Sequence, residues 1–338
     1  MPHRVLAACA AAALLAPPVP AHADAPSLPA ADADADAPRA PAPAPLSPPP
    51  APADGDGLLI GGASIGIGAL ALGAGAVAWW RAYRFDGFGL KNTGSFGRTT
   101  YAGGGDKAGH FVSNYIALHA MTSIYEGLGA RRERAVLYAA VFTGLIAQGV
   151  EIIDGFVPVH RFEYGDVIAN IVGLGLGIGT EIVPDLDRVI GARIGYWPSA
   201  DFLANQRKRT AVDTYLKLIN DYSGQTVFVD LKLKGALELA GVSPGPARYV
   251  LAGINWSTAK YAPKGPEEER QRNLGVHVGV ALPEVIDELE LGAAGRVLSG
   301  FLRYYAPPFA TVSIARDLNH DRWLWSFGLA SRLNIPAG

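Results

Sequence analysis

The chain has 338 residues, of which 49% are hydrophobic and 18% charged, and its formal net charge is -2 at pH 7. This near-neutral balance, without a basic stripe that carries interleaved aromatic side chains, excludes a nucleic-acid partner. Cys9 is the only cysteine, so a disulfide framework and a zinc site built from several thiolates are excluded as well.

The first 23 residues predict a secretory signal peptide. Arg4 precedes an apolar core over residues 5–16, and residues 21–23 form a small-x-small cleavage site. The residues that end at Cys9 also match a lipobox, so cleavage and acylation at this cysteine is the alternative. We favour ordinary cleavage because most of the apolar core follows Cys9. Residues 24–56 are dominated by Pro and Ala and predict a disordered tether.

Residues 57–184 predict a bundle of about four apolar helices. The first, over residues 58–80, carries no charge and is long enough to cross a bilayer, which needs roughly 20 apolar residues. At its end, two tryptophans and Arg81 are typical of an interfacial anchor followed by a basic stop. Three further helices are predicted at residues 107–127, 134–153 and 165–183. Each of these is only near the minimum spanning length, but together with the first helix they predict a membrane-embedded bundle.

Polar side chains lie at the edges of these segments in three motifs: Asp106-Lys107-x-x-His110, Glu151-x-x-Asp154 and Asp166-x-x-x-Asn170. An ionised group in an apolar medium is costly unless it is paired, so such residues serve a function or hold the architecture. Short connections force consecutive helices to run antiparallel, which brings all three motifs to the same end of the bundle. We therefore expect one polar cluster there.

Two interpretations of this cluster stay open. Asp106 and Asp166 each precede an apolar helical run, where a carboxylate can act as the N-cap. Glu151 and Asp154 lie near a helix C-terminus, where the macrodipole disfavours negative charge, so something positive must offset them. The candidates are Lys107, His110 and Arg161. A structural ion-pair network that locks helix ends is the alternative to a functional site.

The extended motifs also carry a resemblance. They read Asp106-Lys107-x-Gly109-His110-Phe111, Glu151-Ile152-Ile153-Asp154-Gly155-Phe156, Gly165-Asp166-x-x-x-Asn170-x-x-Gly173 and, later, Asp221-Tyr222-Ser223-Gly224-Gln225-Thr226. Over about residues 80–235 this pattern resembles an uncharacterised bacterial envelope family, the YfiM-like predicted periplasmic lipoproteins. More distantly, the polar series is similar to VanZ-like membrane proteins. The resemblance implies an envelope protein without naming an activity. The Pro/Ala tether and the strong first helix depart from the YfiM pattern.

The last third of the chain changes to the alternating pattern of half-buried strands, so the predicted fold class is α+β. Residues 185–220 are predicted to connect the bundle to a β-rich domain over residues 221–338. Alternation predicts strands near residues 227–234, 248–261, 273–282, 310–316 and 323–333, and an apolar run over residues 285–305 predicts a helix. We expect a small antiparallel sheet or partial barrel that faces the envelope. Membrane-inserted hairpins are the alternative.

Two functions from different classes remain. The first is a non-catalytic structural or accessory role, in which the cluster fixes helix register and the C-terminal domain contacts an envelope protein or the cell wall. The second is a membrane-embedded hydrolase or transferase that acts on a lipid or lipid-linked sugar. In that case His110 is the acid or base, and Glu151 or Asp154 orients it. The binding residues would be Lys107, Arg161, Asp166 and Asn170, with Lys107 or Arg161 holding a phosphate. The sequence contains no Gly-x-x-x-x-Gly-Lys or His-Glu-x-x-His motif, so neither a nucleotide nor a zinc-protease site is indicated.

No cofactor is predicted for the first function. A variant of the second places a divalent metal on Asp106, His110, Glu151 and Asp154. The expected partner in either case is membrane lipid, and the expected location is the cell envelope, with the bundle in the inner membrane and the C-terminal domain in the periplasm. If the first helix spans with the tether outside, the cluster faces the cytoplasm and everything after Pro184 faces outside.

Overall fold

The computed structural model describes residues 57–81, 83–205 and 219–328. The predicted signal peptide and tether lie outside these residues. The fold is α+β, as predicted: long apolar helices come first, and a six-stranded antiparallel sheet follows in the C-terminal region. A short parallel pair, β1 (Leu90–Lys91) and β2 (Phe162–Glu163), lies between helices of the bundle.

Four long helices form where the apolar runs predict them. They are α1 (Gly57–Gly75, continued by a π-helical turn at Ala76–Trp80), α2 (Gly105–Gly127), α3 (Arg132–Gly155) and α4 (Tyr164–Ile182). Of these, α1, α3 and α4 are long and apolar enough to cross a membrane. The helix α2 differs because it carries buried polar side chains along its length, among them Lys107, Asn114 and His119.

The helix α2 is the centre of the fold. One side packs on the other helices, where Leu118 and Met121 join Ile60 of α1 and Ala139 of α3 in one core. The other side packs on the sheet through a second core, which contains Val112, Tyr115, Ala192 and Val227. Bundle and sheet therefore share α2 as a common layer rather than following one another as separate units.

Glycines set how closely the helices approach. A Cβ added at Gly173 of α4 would lie 2.0 Å from the carbonyl oxygen of Phe111, and one at Gly177 would lie 2.7 Å from Leu118. Gly173 and Gly177 are therefore packing positions between α4 and α2, whereas a Cβ added at Gly175 meets no described atom within 4 Å. In α1 the only glycine that meets another described helix is Gly68, against Phe142 and Ile146 at 3.4–3.5 Å.

The sheet is a meander in which each strand pairs with the next along the chain. Its strands are β3 (Ile190–Tyr196), β4 (Gln225–Lys232), β5 (Val250–Ala259), β6 (Gln271–Val280), β7 (Thr311–Asp317) and β8 (Arg322–Phe327). β3 lies inside the segment that the sequence assigned to a connection. The strand predicted to reach residue 234 ends earlier, because helix α7 (Leu233–Leu239) starts there.

Shorter helices complete the fold. They are α5 (Pro184–Val189), α6 (Ala200–Asn205), α8 (Leu282–Glu288) and α9 (Gly292–Leu302). The last two occupy the predicted helical run before β7. After α9, Tyr304 and Ala306 exchange backbone hydrogen bonds with Ile194, which covers the free edge of β3.

The sheet lies alongside α2 and not beyond the end of the bundle. Tyr222, just before β4, contacts Asp106 in the first turn of α2, and Ala192 of β3 packs near its middle. The arrangement that puts the cluster on one side of a membrane and everything after Pro184 on the other is therefore wrong, because groups in contact cannot be separated by a bilayer.

Candidate functional site

The polar cluster forms where three helix ends meet. A turn with left-handed backbone at Gly103 (φ 63°) and Gly104 (φ 85°) leads into α2. Asp106 and Asp166 occupy the first turns of α2 and α4, but the N-cap positions belong to Gly104 and Glu163. The N-cap interpretation of the two aspartates is therefore wrong. Asp106 is the second residue of α2 and Asp166 the third residue of α4, where a negative charge still interacts favourably with the positive end of the helix macrodipole.

Lys107 is the central cation of the cluster and is 1% exposed. Its Nζ lies 2.8 Å from Asp166 Oδ1, 3.0 Å from Glu163 Oε1 and 3.3 Å from Asp106 Oδ2. The three carboxylates belong to α4, β2 and α2. A buried ammonium is tolerated only when it is paired, and here it joins three elements.

His110 and Asn170 connect the aspartates to Glu151. The imidazole Nδ1 lies 2.9 Å from Asn170 Oδ1 and 3.5 Å from Glu151 Oε1. Asn170 donates through Nδ2 to Glu151 Oε1 at 3.4 Å and accepts a hydrogen bond from Asn114 Nδ2 at 2.7 Å. The other ring nitrogen, Nε2, faces Asp106 Oδ1 at 3.7 Å. With 26% of its side chain exposed, His110 is the most accessible member of the cluster.

Tyr222 brings the C-terminal region into the cluster. Its hydroxyl donates a 2.6 Å hydrogen bond to Asp106 Oδ1. Burial raises the pKa of Tyr222 well above its usual range, and the Asp106 carboxylate raises it further. The phenol therefore stays protonated and remains a donor.

Two of the predicted site residues have other partners. Asp154 accepts a 2.6 Å hydrogen bond from the indole Nε1 of Trp80, at the end of the π-helical turn. Arg161 donates from its guanidinium to the carbonyl oxygen of Gly87 at 2.7 Å. The structure brings together the remaining predicted residues, which are Asp106, Lys107, His110, Glu151, Asp166 and Asn170.

Three residues of the cluster were not among the predicted site residues: Glu163, Asn114 and Tyr222. Glu163 precedes the Asp166 motif by one helical turn, so its spacing could have indicated it. Asn114 lies four residues after His110 on the same helix face and bonds to its carbonyl oxygen at 2.9 Å. Tyr222 belongs to the motif at residues 221–226 that carries the resemblance, but no spacing links it to the cluster, since its partner Asp106 is more than a hundred residues away.

One further pattern, Gly62-Ala63-Ser64-Ile65-Gly66, fits the Gly-x-Ser-x-Gly spacing of serine hydrolases. That chemistry needs the serine on a sharp turn between a strand and a helix. Ser64 lies inside α1 instead and donates to the carbonyl oxygen of Ile60 at 2.8 Å, while its hydroxyl also contacts Tyr125. The pattern is a helix-packing feature.

The cluster carries an excess of negative charge. Lys107 faces the carboxylates of Asp106, Glu163 and Asp166, while Glu151 is paired with His110 and Asn170. Such an excess favours a proton or a cation in the group. Asp106, His110 and Asp166 each offer one ligand atom, all within 4.8 Å of one another. Two carboxylates and one imidazole form a donor set that suits a divalent metal, although it omits the Glu151 and Asp154 of the predicted set.

The comparison with known protein families matches one internal segment of the chain. Residues 92–180 match the model of a family described as predicted periplasmic lipoprotein (DUF2279). No curated protein and no solved structure matches the chain. The match covers α2, α3 and all but the last two residues of α4, with every clustered side chain except Tyr222, and it does not address the VanZ-like resemblance. Over residues 92–180 the chain is therefore similar to predicted periplasmic lipoproteins, which supports a place in the cell envelope.

Proposed function

We propose that the protein is a membrane-embedded protein of the bacterial cell envelope with a non-catalytic structural or accessory role. The observation that carries this proposal is the position of Lys107, a fully buried cation that contacts carboxylates from three different elements. A group with all of its contacts inside the protein has no capacity left for a substrate. The cluster then sets the register of α2, α3 and α4 and attaches the sheet to them through Tyr222.

The outer faces of the helices support the membrane part of the proposal. On α3, Leu137 and Leu145 are 58% and 69% exposed, and on α4 Ile168 and Ile171 are each 58% exposed. A soluble protein rarely exposes so many large apolar side chains on adjacent helices. Lipid is the partner that such faces require, and the inner membrane is the membrane we expect. An envelope protein or the cell wall is the further partner that an accessory role implies.

The second candidate is a hydrolase or transferase that acts on a lipid or lipid-linked sugar, with His110 as the acid or base. The observation in its favour is that His110 is the accessible member, with Nε2 between Asp106 Oδ1 at 3.7 Å and Asp166 Oδ1 at 3.9 Å. The excess of negative charge in the cluster opposes the binding of a phosphate group. Lys107 is already paired and Arg161 points to Gly87, so neither predicted cation is available to a phosphate.

Paired substitutions test the two candidates. His110→Ala and Glu151→Gln are compared with Glu133→Gln, which alters an exposed carboxylate on the same helix as Glu151. The readouts are folded yield and rescue of the envelope defect of a deletion strain. The structural role predicts that yield and rescue fall together in the first two variants and not in the control. Full folded yield without rescue would refute it in favour of a functional site.

Metal analysis of the purified parent protein tests the hypothesis that the cluster binds a divalent metal. A divalent metal at one equivalent in the parent, absent from an Asp166→Asn variant that still folds, would assign Asp106, His110 and Asp166 as its ligands. A parent protein that stays metal-free after incubation with zinc or manganese would refute the metal hypothesis.

A further inference from the structure

Across β4–β8, buried polar side chains lie on one side of the sheet together with Phe228, Leu251 and Leu324, and large apolar side chains lie exposed on the other side. In β6, Val276 and Val278 are 56% and 57% exposed, whereas the intervening His277 is 3% exposed. The register places Ile254, Val276 and Ile314 side by side across three strands, and Val278 beside Val312. We call the surface formed by Ile254, Val276, Val278, Val312, Trp325 and Phe327 the apolar sheet face. Each of its members is at least 39% exposed.

The opposite face is a polar interior with its charges paired. Arg193 donates to Asp230 through Nε at 2.6 Å and through a terminal nitrogen at 2.9 Å, and His277 Nε2 lies 2.8 Å from Asp230 Oδ1. A sheet in water buries its apolar side and exposes its polar side. Here the two sides are exchanged, which is the arrangement of strands that face lipid.

The position of α2 indicates what covers the apolar sheet face. This helix packs on the same face at its β3–β4 margin, through Ala192 and Val227, and Trp256 of β5 lies against the same core. The opposite side of α2 packs on α3 and α4, whose outer faces are also apolar. The apolar sheet face and the helices α3 and α4, with their apolar outer faces, therefore flank the same helix, α2.

We propose that the apolar sheet face contacts the acyl chains of the same membrane that surrounds α3 and α4. The inference rests on the membrane embedding proposed above and extends it to the C-terminal region. β5 and β6 have 10 residues each, and β7 and β8 have 7 and 6. A spanning strand needs about 9–11 residues, which β5 and β6 reach and β7 and β8 do not, so we place the described sheet with one face against the hydrocarbon and not across it as a barrel.

Spin labels on single cysteines test this contact in the full chain. In a Cys9→Ser background, labels are attached to Val276→Cys and Val278→Cys on the sheet face. Leu145→Cys on α3 is the reference for the helices, and Glu268→Cys, in an exposed turn, is the reference for water. The protein is reconstituted in vesicles of phosphatidylethanolamine and phosphatidylglycerol. Relaxation by oxygen, which concentrates in lipid, is compared with relaxation by a water-soluble nickel chelate.

The expected result is a ratio of oxygen to nickel relaxation at 276 and 278 that is several-fold higher than at 268 and similar to that at 145. Nickel access at 276 and 278 with oxygen access at 145 would overturn the inference and leave the membrane-embedded bundle intact. Nickel access at all four positions would overturn both. Protection from both reagents with spin–spin broadening at 276 and 278 would mean that a second copy covers the face, and this also overturns the inference.

The labelled positions are exposed, so their substitution leaves the packing of the core unchanged. Each labelled protein is accepted only if its thermal unfolding midpoint matches that of the unlabelled parent. Val312→Cys on β7 replaces any position that does not meet this condition, because its side chain belongs to the same face.

Discussion

Tyr222 donates a hydrogen bond to Asp106 across 116 positions of sequence. This contact joins the segment before β4 to the first turn of α2, so the sheet region and the helical cluster form one structural unit. It also limits every topology of the chain, because the two groups must lie on the same side of any membrane.

Replacing Tyr222 with Phe removes one donor from the buried Asp106 carboxylate. We expect the free energy of unfolding to fall by about 1–3 kcal/mol, because the carboxylate loses a hydrogen bond and stays out of water. Urea unfolding of the purified protein in detergent measures the change. Tyr164→Phe is the control, since this tyrosine is 49% exposed. Equal stability of the two variants would contradict the role given to the hydroxyl.

Replacing Lys107 with Met leaves three buried carboxylates without their common cation. The expected loss is about 3–5 kcal/mol, the range for breaking a buried ion pair from one side. Folded yield and the thermal unfolding midpoint report it. Lys264→Met, at an exposed turn position, should leave both values near those of the parent. A well-folded Lys107→Met protein would mean that the ammonium does not hold the helices together.

Two glycines of α4 provide a matched pair. The Cβ of Gly173→Ala would lie 2.0 Å from the carbonyl oxygen of Phe111, so α2 and α4 must separate, at a cost of about 1–3 kcal/mol. At Gly175 no described atom lies within 4 Å of the added Cβ. Gly175→Ala should therefore be neutral or stabilise the helix by up to about 1 kcal/mol. Unfolding midpoints of the two variants measure the difference, and equal effects would refute the close contact.

Asp230 makes the stability of the fold depend on pH in the acidic range. Burial alone would raise its pKa, but the bonds from His277 and Arg193 outweigh burial and hold the pKa of Asp230 below its ordinary value of 3.8. A carboxyl with a depressed folded pKa stabilises the fold above its unfolded pKa, and this contribution is lost as the pH falls through the folded value. The stability gap between the parent and Asp230→Asn should thus be constant above about pH 5 and narrow below about pH 4.

Unfolding at several pH values measures this gap. Asp185→Asn, which changes a 66% exposed side chain, is the control and should track the parent at every pH. A gap between the parent and Asp230→Asn that stays constant down to pH 3 would mean that the pairing of Asp230 does not contribute.

Part of the candidate site can be predicted from the sequence. Antiparallel helices bring Lys107, Glu151 and Asp166 to one end, and this follows from connection length alone. Connection length does not determine which partner each acidic side chain contacts at that end. Glu163 faces Lys107 and Asp154 faces Trp80 because of the direction each side chain takes at a helix end, and a shift of one residue turns a side chain by about 100°. Arg161 lies close in sequence but outside the helices, just before β2 and with a left-handed backbone (φ 63°), and its guanidinium donates to Gly87 instead.

The sequence by itself determined where the helices and most of the strands form, because apolar length and the period of alternation are local properties. The tertiary structure alone decided that the sheet packs on α2 and which of its sides faces outward. Alternation with a period of two separates Val276 and Val278 from His277, but it is identical whether the apolar side or the polar side is buried. That choice depends on the distant partners, Arg193 and Asp230 inside and α2 at the margin, which only folding brings together.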